Sequence, residues 1–139
     1  KLIYGVSGAL NTETGALNSA NASLRYTPNE NDYYSAKYQY SEQGNKHSID
    51  LGAQKRFDDL DLSLRGNQQL SYSDEGLSST TDLMAAYHLN DDLSLLGGAS
   101  YSMGESVTPK IGVQYKDVPI VVSYDTKNSA VSVGFTLKF

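Results

Sequence analysis

The chain has 139 residues, a formal charge of -5, no cysteine and two histidines, which excludes disulfides and thiolate metal sites and argues against a histidine-rich metal centre or any cofactor held by one. No basic cluster offers a phosphate-binding face, so nucleic acid is excluded as the main partner, and the length predicts a single domain over residues 1–139. No apolar run approaches the roughly 20 residues of a transmembrane helix, whereas a mean hydropathy of -0.44 suits a membrane barrel as well as a soluble chain, because half of each barrel strand faces a polar interior.

Stretches of about ten residues with alternating apolar and polar positions, separated by turn formers, recur along the whole chain and predict strands. Leu2 to Asn11 sets Leu2, Tyr4, Val6 and Leu10 on one face, and Thr12 to Gly15 turns the chain. Leu17 to Thr27 opposes Ala20, Ala22, Leu24 and Tyr26 to Asn21, Ser23 and Arg25; Pro28 to Asp32 ends it, since proline cannot donate to a ladder. Tyr33 to Ser41 opposes Tyr34, Ala36, Tyr38 and Tyr40 to Ser35, Lys37 and Gln39. Lys46 to Phe57 opposes Ile49, Leu51 and Ala53 to Ser48, Asp50, Gln54 and Arg56. Leu60 to Tyr72 opposes Leu60, Leu62, Leu64, Leu70 and Tyr72 to Asp61, Ser63, Arg65 and Asn67. Gln68 interrupts its apolar face and predicts a bulge near Gly66 and Asn67, or a depth that water reaches.

After Gly76 the sixth strand opposes Leu83, Ala85, Tyr87 and Leu89 to Asp82, Met84, Ala86 and His88. The seventh opposes Leu93, Leu95, Gly97, Ala99, Tyr101 and Met103 to Ser94, Leu96, Gly98 and Ser100, the Gly97-Gly98 pair allowing curvature or close approach. The eighth opposes Ile111, Val113 and Tyr115 to Lys110, Gly112, Gln114 and Lys116; the ninth opposes Val118, Ile120, Val122 and Tyr124 to Pro119, Val121, Ser123 and Asp125. The last, Ala130 to Phe139, opposes Val131, Val133, Phe135, Leu137 and Phe139 to Ser132, Gly134, Thr136 and Lys138. Ten sequential strands with connections of about two to six residues predict an all-β, antiparallel up-and-down meander. Closing it into a barrel removes both unpaired edges; eight strands is the alternative count, and the connections are short on both sides.

The orientation of that barrel follows from its two faces. Tyr26, Tyr40, Tyr72, Tyr87, Tyr101, Tyr115 and Tyr124 sit on the apolar face near strand ends, where membrane-interface girdles form, and Phe139 extends the set. The opposite face is rich in Gly, Ser, Asn and Gln with isolated charges, which suits a lumen better than a soluble surface. With its final strand ending in Val131, Val133, Phe135, Leu137 and Phe139, and tight turn phrases at Phe57 to Leu60 and Leu89 to Leu93, the chain resembles bacterial outer-membrane β-barrel proteins of the porin-like kind. That resemblance implies a transmembrane barrel in the bacterial outer membrane, lipid as its surroundings, both termini on the periplasmic side, and recognition of the last strand by the barrel-assembly machinery.

Charge sorting supplies the functional expectation. Arg25, Lys37, Arg56, Arg65, Lys110, Lys116 and Lys138 face the lumen against Asp50, Asp61, Asp82 and Asp125, a net +3 inside a chain of charge -5. A wet lumen of that sign prefers anions, so the expected function is a narrow channel for ions or small anionic solutes. The alternative is a non-conducting anchor or the C-terminal barrel domain of a larger envelope protein, consistent with a chain that begins inside a strand and with inward Arg and Asp pairing as a plug. A lipid-directed barrel enzyme using His88 with Asp82 and Ser100, or His47 with Ser48, is the third reading. Sequence adjacency does not give a triad's geometry, so no catalytic residue is assigned and the chain is not expected to be an enzyme. Tyr33, Tyr34, Tyr38 and Tyr40 could stack on sugar rings, although girdle or packing roles suit them better.

Overall fold

The structure is a computed structural model that describes residues 1–116, 118–126 and 128–134. It is all-β, with strands β1 (Leu2–Leu10), β2 (Leu17–Tyr26), β3 (Tyr33–Ser41), β4 (Lys46–Phe57), β5 (Leu62–Ser73), β6 (Gly76–His88), β7 (Leu93–Ser102), β8 (Thr108–Tyr115), β9 (Val118–Asp125) and β10 (Ala130–Gly134). They form one ten-stranded sheet in chain order, an antiparallel up-and-down meander, so the count is ten and not eight. β1 and β10 are the end members of that order, and among the described residues no ladder joins them. Phe135, Leu137, Lys138 and Phe139 lie outside the described residues.

Asparagine side chains shape the connections. Asn11 Oδ1 accepts from the Glu13 and Thr14 amides, Asn29 Oδ1 from those of Asn31 and Asp32, and Asn90 Oδ1 from those of Asp92 and Leu93, at 2.8–3.3 Å. Each side chain stands in for a backbone turn carbonyl, so these short loops close without a ladder partner.

Asp61 and Lys116, expected in strands, belong to turns instead. Asp61 follows a one-turn 3-10 helix, Asp58–Leu60, with φ 49° and its amide donating to the Asp58 carbonyl at 3.2 Å, so Leu60 and Asp61 precede β5. Lys116 follows β8 with φ 53°, its amide donating to the Asp92 carbonyl at 2.5 Å. A left-handed residue ends a strand's period of two, yet a polar Asp or Lys there continues the written alternation.

By its contacts the chain divides into two compact units, Lys1–Ala53 with Asn67–Thr80, and Gln54–Gly66 with Thr81–Phe139. In the first, register sorts side chains into cross-strand rows of one character. Leu2, Tyr26 and Tyr34 form one apolar row, Tyr4, Leu24 and Ala36 the next, and Val6, Ala22 and Tyr38 a third. Between them, on the other face, run Ile3, Arg25 and Ser35; Gly5, Ser23 and Lys37; and Ser7, Asn21 and Gln39. The apolar face is the open one, with Val6 84% exposed. On it, Gln68 Nε2 donates to Ser79 Oγ at 2.8 Å, which satisfies the glutamine that interrupts the apolar pattern.

In the second unit the rows are Leu93, Tyr115 and Val118; Leu95, Val113 and Ile120; and Gly97, Ile111, Val122 and Val133. The alternate rows are Ser94, Gln114 and Pro119; Leu96, Gly112 and Val121; and Gly98, Lys110, Ser123 and Ser132. Ile111 is 70% exposed, while Met84, Ala86, Leu96 and Val121 cluster as buried residues on the opposite face beside buried Ser63, Ser94 and Gln114. The face read from sequence as polar therefore carries an apolar patch in this unit. Gly112 makes room for it: a Cβ there would meet the Ile120 carbonyl and the Val121 Cα.

Candidate functional site

Tyrosine placement follows strand length. Tyr26, Tyr40, Tyr72, Tyr87, Tyr101, Tyr115 and Tyr124 each occupy the last or second-last position of their strand, and all but the half-buried Tyr40 are exposed. Tyr26 and Tyr34 stack with centroids 6.5 Å apart beside the turn joining β2 to β3. His47 joins this class: it lies on the apolar face, with its Nδ1 2.7 Å from the Tyr38 hydroxyl and its ring 5.0 Å from that of Tyr40. Ser48 faces the other way, its Oγ 3.3 Å from Ser71 Oγ, so His47 and Ser48 form no catalytic pair.

The charged residues expected to line a lumen separate into two sets. In the second unit they are mostly engaged. Lys110 Nζ donates to both Asp82 oxygens at 3.2 and 3.4 Å, and Arg56 Nε donates to Asp58 Oδ1 at 2.8 Å. Asp125 accepts from the Asn128 amide and side chain at 3.2 and 2.8 Å, which makes it a turn residue in function. Arg65 is half-buried on β5. Asp61 and Lys116, expected among the lining residues, are exposed in their turns; Lys116 Nζ lies 5.6 Å from the Tyr115 ring centroid.

His88 anchors the same unit. Its Nε2 lies 2.7 Å from Ser63 Oγ and its Nδ1 2.7 Å from Ser94 Oγ, while its backbone amide donates to the Asp61 carbonyl at 2.7 Å. In neutral imidazole one nitrogen donates and the other accepts, so two buried hydroxyls match the ring's two needs. The partners are Ser63 and Ser94, not Asp82 and Ser100, and this trio contains no carboxylate. Alternation places all three residues on one face, but only strand register identifies which hydroxyl meets which nitrogen.

The first unit keeps its polar face open. Arg25 lies 4.4 Å above the Tyr33 ring, and among the described residues Lys37, Lys46 and Asp50 make no ion pair. A cavity of about 470 Å³ opens on this face, lined by Ser7, Asn21, Gln39, Lys46 and Ser48 among others, with Lys46 the one charged residue of the lining among the described residues. Its volume falls in the range of roughly 300–1,000 Å³ usual for small-molecule sites. Asn21 Oδ1 is buried there without a hydrogen-bond partner among the described residues. Leaving such an acceptor unpaired costs about 1–3 kcal/mol. Sequence reading assigned neither Asn21 nor Lys46 to a site: amide residues are frequent on this face, and Lys46 stands at a strand's first position. Among the described residues no three His, Asp or Glu side chains gather as metal ligands. No family model matches the chain, and comparison with curated proteins finds no match.

Proposed function

We propose that the chain is a transmembrane β-barrel of the bacterial outer membrane that passes small polar solutes, with anions preferred, along the polar face of its first unit. The observation that carries this reading is the exposure of whole apolar rows, such as Leu2, Tyr26 and Tyr34 or Leu95, Val113 and Ile120, edged by tyrosines at strand ends. In water such rows make a large aggregation-prone patch; in a bilayer they are the lipid-facing surface. Closure of β10 onto β1 belongs to the proposal. Between Leu2 and Leu10 the first strand carries no charge and no proline, so nothing guards its edge, and pairing the two end strands removes that liability. Assembly then proceeds through the machinery that reads a terminal aromatic strand.

Lys37 and Lys46, which make no ion pair among the described residues, with Arg25 give the first unit's polar face its basic balance over Asp50 and supply the anion preference. Conductance and reversal potential in planar bilayers test the reading: the expected result is discrete openings with a modest anion preference, and a membrane-inserted chain that never conducts, or that prefers cations, overturns it. The alternative of a non-conducting anchor or terminal domain draws on the second unit, where Met84, Leu96 and Val121 fill the face and the Lys110–Asp82 bridge neutralises its charges.

A further inference from the structure

On the apolar face, His47 Nδ1 lies 2.7 Å from the Tyr38 hydroxyl, and its Nε2 has no hydrogen-bond partner among the described residues. A phenol donates more readily than it accepts, so the Tyr38 hydroxyl serves Nδ1 and the ring proton stands on Nε2. That N–H needs an acceptor, and hydrocarbon offers none. His47 is the second residue of β4, and Tyr40, whose ring lies 5.0 Å away, is the second-last of β3, so both stand at the strand-end level of the tyrosines. In the first unit no other side chain of the apolar face, among the described residues, can carry a positive charge. Toward mid-strand follow the row of Val6, Ala22 and Tyr38 and then that of Tyr4, Leu24 and Ala36. The small Ala22 and Ala36 stand among Val6, Leu24, Tyr38 and Ile49 and leave a cavity of about 320 Å³. Tyr38 belongs to both features, as wall of the cavity and as partner of His47.

We infer that the cavity and His47 together bind one phospholipid of the bilayer, with an acyl chain lodged over Ala22 and Ala36 and the phosphate accepting from His47 Nε2. The inference rests on the lipid-facing reading of the apolar rows and specifies one lipid site on them. The row of Tyr40 lies about 7 Å beyond that of Tyr38, two residues of strand, so a chain in the cavity brings its headgroup to the level of His47. Complementarity at both ends fixes the occupant: apolar side chains wall the cavity, and the one group of this face able to become cationic suits an anion. Inorganic phosphate lacks the chain, and a neutral lipid lacks the charge.

The refolded chain in dodecyl maltoside micelles, whose headgroup carries no phosphate, tests the site when titrated with dimyristoyl phosphatidic acid, dimyristoylglycerol and inorganic phosphate. NMR follows the Ala22 and Ala36 methyls and the His47 ring. Phosphatidic acid should shift all three residues and saturate at one lipid per chain. Dimyristoylglycerol should bind about tenfold more weakly, the difference between a charged and a neutral acceptor, and inorganic phosphate more weakly still. His47→Phe keeps an aromatic ring in place and should weaken phosphatidic acid about tenfold, bringing the two lipids level. Ala36→Leu, at a half-buried position, should fill the cavity and weaken both. Phosphatidic acid that binds no tighter than dimyristoylglycerol or inorganic phosphate, that ignores His47→Phe, or that never saturates overturns the inference. So do alanine shifts that follow protein concentration without lipid, the mark of a second copy on this face. A chain that inserts and conducts yet shows no such site refutes the lipid site alone; one that binds phosphatidic acid in this way yet never inserts into vesicles refutes the membrane-spanning reading alone.

Discussion

Lys110 reaches Asp82 across an intervening strand, its Nζ 3.2 Å from Oδ2, and the residue of β7 paired with Lys110 on that face is Gly98. A Cβ at Gly98 would meet the Leu83 carbonyl and the Met84 Cα of β6. Its neighbour Gly97 faces the opposite way, with nothing within 4 Å of a Cβ built there. Gly98→Ala should therefore destabilise the fold by about 1–3 kcal/mol through overpacking. Gly97→Ala should stay within about 0.5 kcal/mol of the parent. Urea titrations of the two variants in detergent check the contrast, and equal midpoints would show that β7 does not approach β6 this closely.

The same bridge bears on selectivity. Asp82→Asn removes the partner that neutralises Lys110, so the anion preference of the reconstituted chain should rise, while Lys110→Met should lower it. Because the Asp82 side chain is 43% exposed, a double-mutant cycle should return only about 0.5–1 kcal/mol of coupling. Reversal potentials in a salt gradient read the first effect and denaturant midpoints the second.

What was legible in the sequence is what alternation encodes. β3, β4 and β9 begin and end where the period of two predicts, and the Leu, Val and Tyr rows share one face in each unit as the alternation requires. Asp61 and Lys116 escaped because backbone handedness is silent in a polar turn residue. The pairs that distinguish a filled face from an open one escaped for another reason. Ser63 and Ser94 lie 25 and 6 residues from His88, and Asp82 lies 28 from Lys110, so their meeting depends on register between strands. Asn21 was hidden most deeply, since an unmet acceptor is defined by what fails to reach it.

The His88 hydroxyl pair makes a prediction of its own. Ser63→Ala and Ser94→Ala each leave one ring nitrogen without its partner at a site where both hydroxyls are buried, which should cost about 1–3 kcal/mol apiece. Both act on one ring, so the double variant should cost less than the sum of the two. Thermal denaturation of the four chains closes the cycle, and strict additivity would mean that the two hydroxyls do not share His88.

The sharpest separation of a lipid-facing from a water-facing apolar surface comes from a charge placed at mid-strand. Val6 and Ile111 stand near the centres of β1 and β8, 84% and 70% exposed, each within a row of apolar neighbours. On a soluble sheet, Val6→Lys or Ile111→Lys exchanges one exposed side chain for another and should change stability by no more than about 0.5 kcal/mol. At the midplane of a bilayer the same ammonium costs about 2–4 kcal/mol. Lysine at Ser7 or Gly112 is no substitute control, because those positions lie on the other face and Gly112 has no room for a Cβ. Lysine at Tyr115, the last position of β8, should cost about 0–1 kcal/mol in charge transfer if that position is interfacial. Folding into phospholipid vesicles, followed by urea titration, should thus rank the mid-strand variants well below the strand-end one. Equal stability at both depths would mean that Leu, Val and Tyr meet water on this face, and the outer-membrane assignment would fall with it.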